Sequence, residues 1–316
     1  MTERITPQML DNSTVNTISN DLNQLDQVQQ QLSTGYQINQ PSDNPVGAAI
    51  TLSLQGEVSA YSAYHQNITQ GVAVVQTEGT SLQQIQQVVQ SARELVVQAS
   101  NGTLNASDMQ AAAQQIYQYI GQIKETANTQ YDGSYVFSGS AVDTPPWQAD
   151  PGSPDTFAGN QGTVNYAIGP STQLAVSANL YSVLGDGVGT GGAFVPSATP
   201  GNPGTGGLLA TLRTVYSDLQ AGNHGALGAQ LTNLTTNLNA LISLQANVGA
   251  TQDRLQMADA TISSLSATAT IELGNVYNTD MAQATVQFST LQAGYQAALQ
   301  STADIIQTSL LNFLQS

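Results

Sequence analysis

An apolar stripe at three- and four-residue spacing runs to the last turn of the chain. Phe288, Leu291, Tyr295, Leu299, Ile306, Leu310 and Phe313 fall on one side of a helix, and Gln, Ser, Thr and Ala fill the other. No proline interrupts the run from Met281 to Ser316. Chain ends are usually polar and frayed, so an end this apolar asks for a partner. The opposite end offers one: Val15, Ile18, Leu22, Leu25 and Leu32 step by three, four and seven. Each stripe covers about 35 residues, or about 50 Å at the helical rise. The expected fold is mainly α: an elongated antiparallel helical bundle or coiled coil built from both chain ends, carrying an inserted small β domain.

Between these ends the signals come in order. Gly35 stops the first helix (residues 8–33), and Pro41 and Pro45 bracket the polar Ser42-Asp43-Asn44, so residues 35–45 read as an extended connector. A long second helix begins near Pro45 in heptad rhythm, with one shift near Ile85, and Asn101-Gly102 ends it. Ser107 with Gln110 suggests a capping box for a third helix, whose inner face is Met109, Ala113, Ile116, Ile120, Ile123 and Ala127. Around Tyr131-Asp132-Gly133 the pattern changes to a β-hairpin. From Ala141 to Gly207 glycine and proline are dense, and Val164–Ile168, Gln173–Ser177 and Tyr181–Leu184 read as short strands. Helix returns at Leu208, breaks at Gly222-Asn223-His224-Gly225, and resumes from about Ala226. A hinge or stutter is expected near Gly274 to Asp280. The domain expectation is a terminal coiled-coil layer (1–34 and 281–316), a helical domain with a β-hairpin (35–140 and 207–280) and an inserted β-rich domain (141–206).

Charge excludes several functions. Charged residues are 8 % of the chain and the net charge is −16, whereas ordinary proteins are about a quarter charged. Arg4, Arg93, Lys124, Arg213 and Arg254 are scattered singly. Nucleic acid needs clustered cations and anionic membranes repel net negative charge, so neither is an expected partner. The scarcity of charge also lowers the desolvation cost when copies meet. Without cysteine there are no disulfides or thiolate metal sites. Met1 to Asp11 lacks the regions of a secretory signal peptide and no run is long enough to span a bilayer. The expectation from these facts is a soluble chain, which leaves open export routes that read a disordered N-terminus.

No catalytic, cofactor or metal site is expected. Gly187-Val188-Gly189-Thr190-Gly191-Gly192 matches a dinucleotide spacing, but Ala193-Phe194-Val195-Pro196 follows where a helix should start. Asp143, Asp150 and Asp155 could chelate a hard cation, yet their spacing matches no calcium loop, and a solvated acidic loop is the expectation. His65 is expected as a packed core residue and His224 in a glycine-rich turn. Trp147 reads either as an exposed anchor or as an aromatic plug under the β domain, with the plug favoured.

Several stretches resemble the flagellin superfamily, and within it the branch at the junction of hook and filament. These are Gln31-Leu32-Ser33-Thr34-Gly35, Ile38-Asn39 and Pro41-Ser42-Asp43-Asn44-Pro45, then Asn67-Ile68 and Val97 to Thr103. Gly133 to Gly139, with Thr144-Pro145-Pro146-Trp147, points to the junction branch. Asn247-Val248-Gly249-Ala250, Thr279-Asp280-Met281-Ala282, Gln296 to Leu299 and Ser309-Leu310-Leu311 match the C-terminal pattern. The resemblance implies an extracellular flagellar protein exported through the type III channel. It implies as partners its own copies in a ring, the first hook-associated protein, flagellin and an export chaperone. The expected assembly interface is Val15, Ile18, Leu22, Leu25, Leu32, Phe288, Leu291, Tyr295, Leu299, Ile306, Leu310 and Phe313. The alternatives are a flagellin filament subunit and a secreted helical binding module or adhesin.

Overall fold

The computed structural model describes the backbone of residues 7–153, 155–185 and 207–314, and side chains over 12–153, 155–185 and 207–303. Its elements are α1 (Pro7–Thr34), α2 (Pro45–Ser100), α3 (Ala106–Ala127), β1 (Gln130–Tyr131), β2 (Ser134–Tyr135), β3 (Asn165–Gly169), β4 (Thr172–Ala175), α4 (Tyr181–Leu184), α5 (Leu208–Gln220), α6 (His224–Tyr277) and α7 (Met281–Leu314). The chain is thus mainly helical, with two small antiparallel sheets among the described residues. It divides into two compact units, Met1–Ala60 with Leu265–Ser316, and Tyr61–Ser264. The glycine loop at 187–192 lies outside the described residues.

In the first unit α1 packs along α7. Gly35, at a φ of +77°, ends α1 in the left-handed conformation that a side chain resists. The connector is then held by its own polar residues. Asp43 Oδ2 accepts from the Asn39 and Gln40 N–H groups at 3.0 and 2.9 Å, and Asn44 Oδ1 accepts from Gly47 N–H at 2.9 Å. This caps α2 with Pro45 at its first position, where no N–H is missed. The second connector is a break between α6 and α7, where Asp280 Oδ1 caps α7 by accepting from Ala282 and Gln283 N–H at 2.9 and 3.1 Å. The two connectors join: Gln37 N–H donates to Tyr277 O at 2.8 Å and Thr279 N–H to Gly35 O at 2.9 Å.

In the second unit α2 and α6 run antiparallel. Gln86 Nε2 donates to Gln245 Oε1 at 2.6 Å, and a β-carbon at Gly71 would come within 3.4 Å of Leu255. Ile68, Val75, Leu82, Val89 and Val96 on α2 are buried at strict seven-residue steps, as are Leu227, Leu234, Leu241, Val248, Leu255 and Ile262 on α6. The heptad of α2 therefore does not shift near Ile85. Ile85, Ala92 and Ala99 form a second buried row beside the first, because this helix is covered on more than one side.

Three local readings are corrected. Asn105, not Ser107, caps α3, its Oδ1 accepting from Asp108 N–H at 2.9 Å. Tyr181–Leu184 is a single helical turn rather than a strand, since four mixed aromatic and β-branched residues cannot distinguish the two by periodicity. His65 is not a core residue: its side chain is 53 % exposed, and Nδ1 lies 2.6 Å from Asp259 Oδ1. The hairpin reading stands. Asp132 and Gly133 take φ of +50° and +78° between β1 and β2, the left-handed pair that a tight hairpin turn needs.

Candidate assembly surface

The expected interface residues lie on α1 and α7 in the first unit. Ile18, Leu25, Leu32, Phe288, Leu291 and Tyr295 are half-buried, while Val15, Leu22 and Leu299 are exposed. Val28, absent from the expected set, is buried, as is Ala284. The side chains of Ile306, Leu310 and Phe313 lie outside the described residues. The α1–α7 pair therefore shelters part of each stripe and leaves part open. A second exposed set follows the connector: Val46 and Leu52 on α2 are 71 % and 73 % exposed, and Val286 on α7 is 66 % exposed. Most of the large hydrophobic side chains left open among the described residues belong to this unit, against Val97, Ile242 and Met257 in the other. Periodicity could not reveal Val46 and Leu52, because they stand off the heptad positions that α2 buries.

The segment that follows β2 in the second unit is stapled by charge. Asp155, 1 % exposed, meets Lys124 Nζ at 3.1 Å through Oδ1 and Arg213 Nε at 2.9 Å through Oδ2. Lys124 also donates to the carbonyls of Asp150 and Ser153 at 2.9 and 3.2 Å, and Arg213 to those of Pro151 and Ser153. Burial pushes the Lys124 ammonium below the usual lysine value and Asp155 pulls it back up; the hydrogen bonds that Arg213 donates to Asp155 raise its guanidinium. Asp155 is thus not a solvated loop acid: both of its carboxylate oxygens are engaged by Lys124 and Arg213. Trp147 is fully buried, as the plug reading expects. Its ring meets Phe157 at 5.0 Å, and Asn128 clasps its backbone, accepting from Trp147 N–H at 3.0 Å and donating to Trp147 O at 2.6 Å.

His224 Nδ1 lies 2.7 Å from Ala99 O, and His65 is half-exposed beside Asp259. A polar cleft of about 280 Å³ in the first unit is walled by amides such as Gln31, Gln37, Asn278 and Gln283, and its single carboxylate, Asp280, is engaged as the cap of α7. A group of three or more metal-ligating side chains is absent among the described residues.

The chain is similar to known proteins in sequence and in fold. The flagellar hook-associated protein 3 of Escherichia coli (strain K12) is 26 % identical over 309 residues, 93 % of this chain and 95 % of that protein. The flagellin of Bacillus subtilis (strain 168) is 26 % identical over 289 residues, 88 % of each chain. The solved structure of a flagellar hook-associated protein from Vibrio parahaemolyticus shares the fold with a TM-score of 0.63 at 20 % identity, covering 75 % of this chain and all of that one. The family model of the bacterial flagellin N-terminal helical region matches residues 5–142, and that of the C-terminal helical region matches residues 231–314. With the N-terminal and C-terminal helical regions both present and in order, the chain belongs to the flagellin family.

Proposed function

We propose that this protein is a non-enzymatic junction subunit of the bacterial flagellum, joining the hook-side junction protein to the flagellin filament through ring-like self-assembly of its terminal helices. The observation that carries this reading is the open apolar face of the first unit, taken with a likeness to hook-associated protein 3 along nearly the whole chain. Each large apolar side chain that a neighbouring copy covers contributes about 1.5–3 kcal/mol, so a few such residues per contact offset the entropy lost on docking. The terminal layer is assigned to residues 1–34 and 281–316, and the interface to the twelve residues named from the sequence. The β-rich segment 141–206 is carried as an insertion. The partners are sister copies, the first hook-associated protein, flagellin and an export chaperone, and the location is the extracellular hook–filament junction after type III export.

The test is complementation of a motile strain that lacks its junction protein, reading flagellin lost to the medium. Restored retention of flagellin supports the assignment. Continued leakage despite export of this chain refutes it. The similar identity to a flagellin favours one second reading, a filament subunit. Seeded purified protein should then grow long filaments, whereas a junction protein adds a short layer and stops.

A further inference from the structure

Glu78 is buried in the second unit with no exposed surface, on the part of α2 that faces the end of the second hairpin. Its Oε1 accepts from Ala178 N–H at 2.9 Å, three residues beyond β4. Its Oε2 is buried and has no hydrogen-bond partner among the described residues. Compensation by a cation is lacking: Lys124 and Arg213 are committed to Asp155, and only burial and the Ala178 N–H act on the Glu78 carboxyl. The elements packed on this turn carry Glu125 on α3, Tyr131 on β1, Tyr166 on β3, and Asp253 and Arg254 on α6; none of them shifts Glu78.

A neutral carboxyl in such a place leaves one O–H unsatisfied, whereas a carboxylate would be a buried, unpaired charge and far more costly. We propose that Glu78 is a protonation-gated latch: as a neutral acid it holds the end of the second hairpin against α2, and losing its proton frees that end. Burial pushes the carboxyl up to about 8 from an ordinary 4.5. A freed end lets the carboxyl reach water and lose its proton readily. The open form therefore gains on the closed one about tenfold per pH unit between these two values, and the gain levels off above them.

The test uses the full-length protein and Glu78→Gln, which keeps an acceptor for Ala178 N–H but cannot ionise. The ratio of wild-type to E78Q hydrogen-exchange rates at the Ala178 amide, which cancels the intrinsic pH dependence of exchange, should rise about tenfold per unit from pH 5 to 8. In parallel, the Glu78 carboxyl carbon resonance of the wild-type protein should titrate with a midpoint close to 8. A ratio that stays flat, or a midpoint close to 4.5, overturns the latch. Should E78Q fail to fold, the wild-type titration alone decides.

Discussion

The rings of Tyr36 and Tyr277 stack with centroids 4.1 Å apart and planes 24° apart, one from the first connector and the other from the last residue of α6. The backbone around them is paired too, with an isolated antiparallel bridge between Tyr36 and Asn278. Stacked aromatic pairs add about 0.5–1.5 kcal/mol beyond the area they bury. A double-mutant cycle with Tyr36→Ala and Tyr277→Ala should return a coupling of that size in urea unfolding. Additivity within about 0.3 kcal/mol would show that the stack contributes nothing of its own.

The buried charge cluster predicts an asymmetry between breaking it and replacing it. Asp155→Asn leaves Lys124, itself fully buried, without its counter-charge. It should cost about 3–5 kcal/mol. Replacing Lys124, Asp155 and Arg213 together with apolar residues of similar volume should cost much less, because no ion is stranded. Chemical denaturation of both variants checks this. Equal losses would mean that the cluster acts through shape and not charge.

Glu78 also gives global stability a pH dependence whose sign follows from its raised value. The folded chain keeps a proton that the unfolded chain loses between 4.5 and about 8. Stability from this group is therefore fully present below that window and declines as pH rises through it. The total reaches about 5 kcal/mol only if the latch stays closed, and is smaller where the freed end lets the folded chain ionise. In urea melts at pH 5 and pH 8, the wild-type protein should lose stability relative to E78Q. A constant difference between the two proteins would contradict this sign.

Gly133 supplies the second left-handed residue of the first hairpin turn, and the space around its α-carbon is open. Any penalty for a side chain there is conformational and not a clash. Gly133→Val should cost about 1–2 kcal/mol. Thermal melts of Gly133→Val and Gly133→Asn separate the effects, since asparagine tolerates this conformation better. An Asn variant as unstable as the Val variant would disprove the conformational account.

Val46→Lys and Leu52→Lys probe the assembly reading at positions already open to solvent. Exposed substitutions alter monomer stability by about 0.5 kcal/mol or less, so melting should barely change. Function should suffer, because a lysine in a buried contact between copies is costly to desolvate. Flagellin retention in the complementation assay is the readout. Full retention by the double variant would remove this surface from the interface.

Much of the fold was legible from local pattern. The seven-residue steps of α6, the proline-bracketed connector and the Asp132-Gly133 turn are each written in local sequence, and the structure places them as their chemistry demands. The charge cluster was not legible. Lys124, Asp155 and Arg213 belong to three separate segments, and only packing shows that two of the five bases are spent inside on one acid. His65 misled for a related reason. Its place close to a heptad stripe suggested burial, but a side chain on the flank of a helix seam reaches solvent as easily as core. Among the proposed assembly residues, periodicity named Ile18 and Leu25 but could not divide the stripe into its sheltered and open parts, because that depends on which rows α7 covers.

The pairing of the two connectors has a mechanical consequence. Gly35 and Thr279 are bonded through their backbones, so a pull on either terminal helix meets a shared joint before it reaches the long helix beyond. Tension on one end is split between two covalent strands instead of unravelling one. Such a cross-tie shares load between the first and last stretches of a single polypeptide.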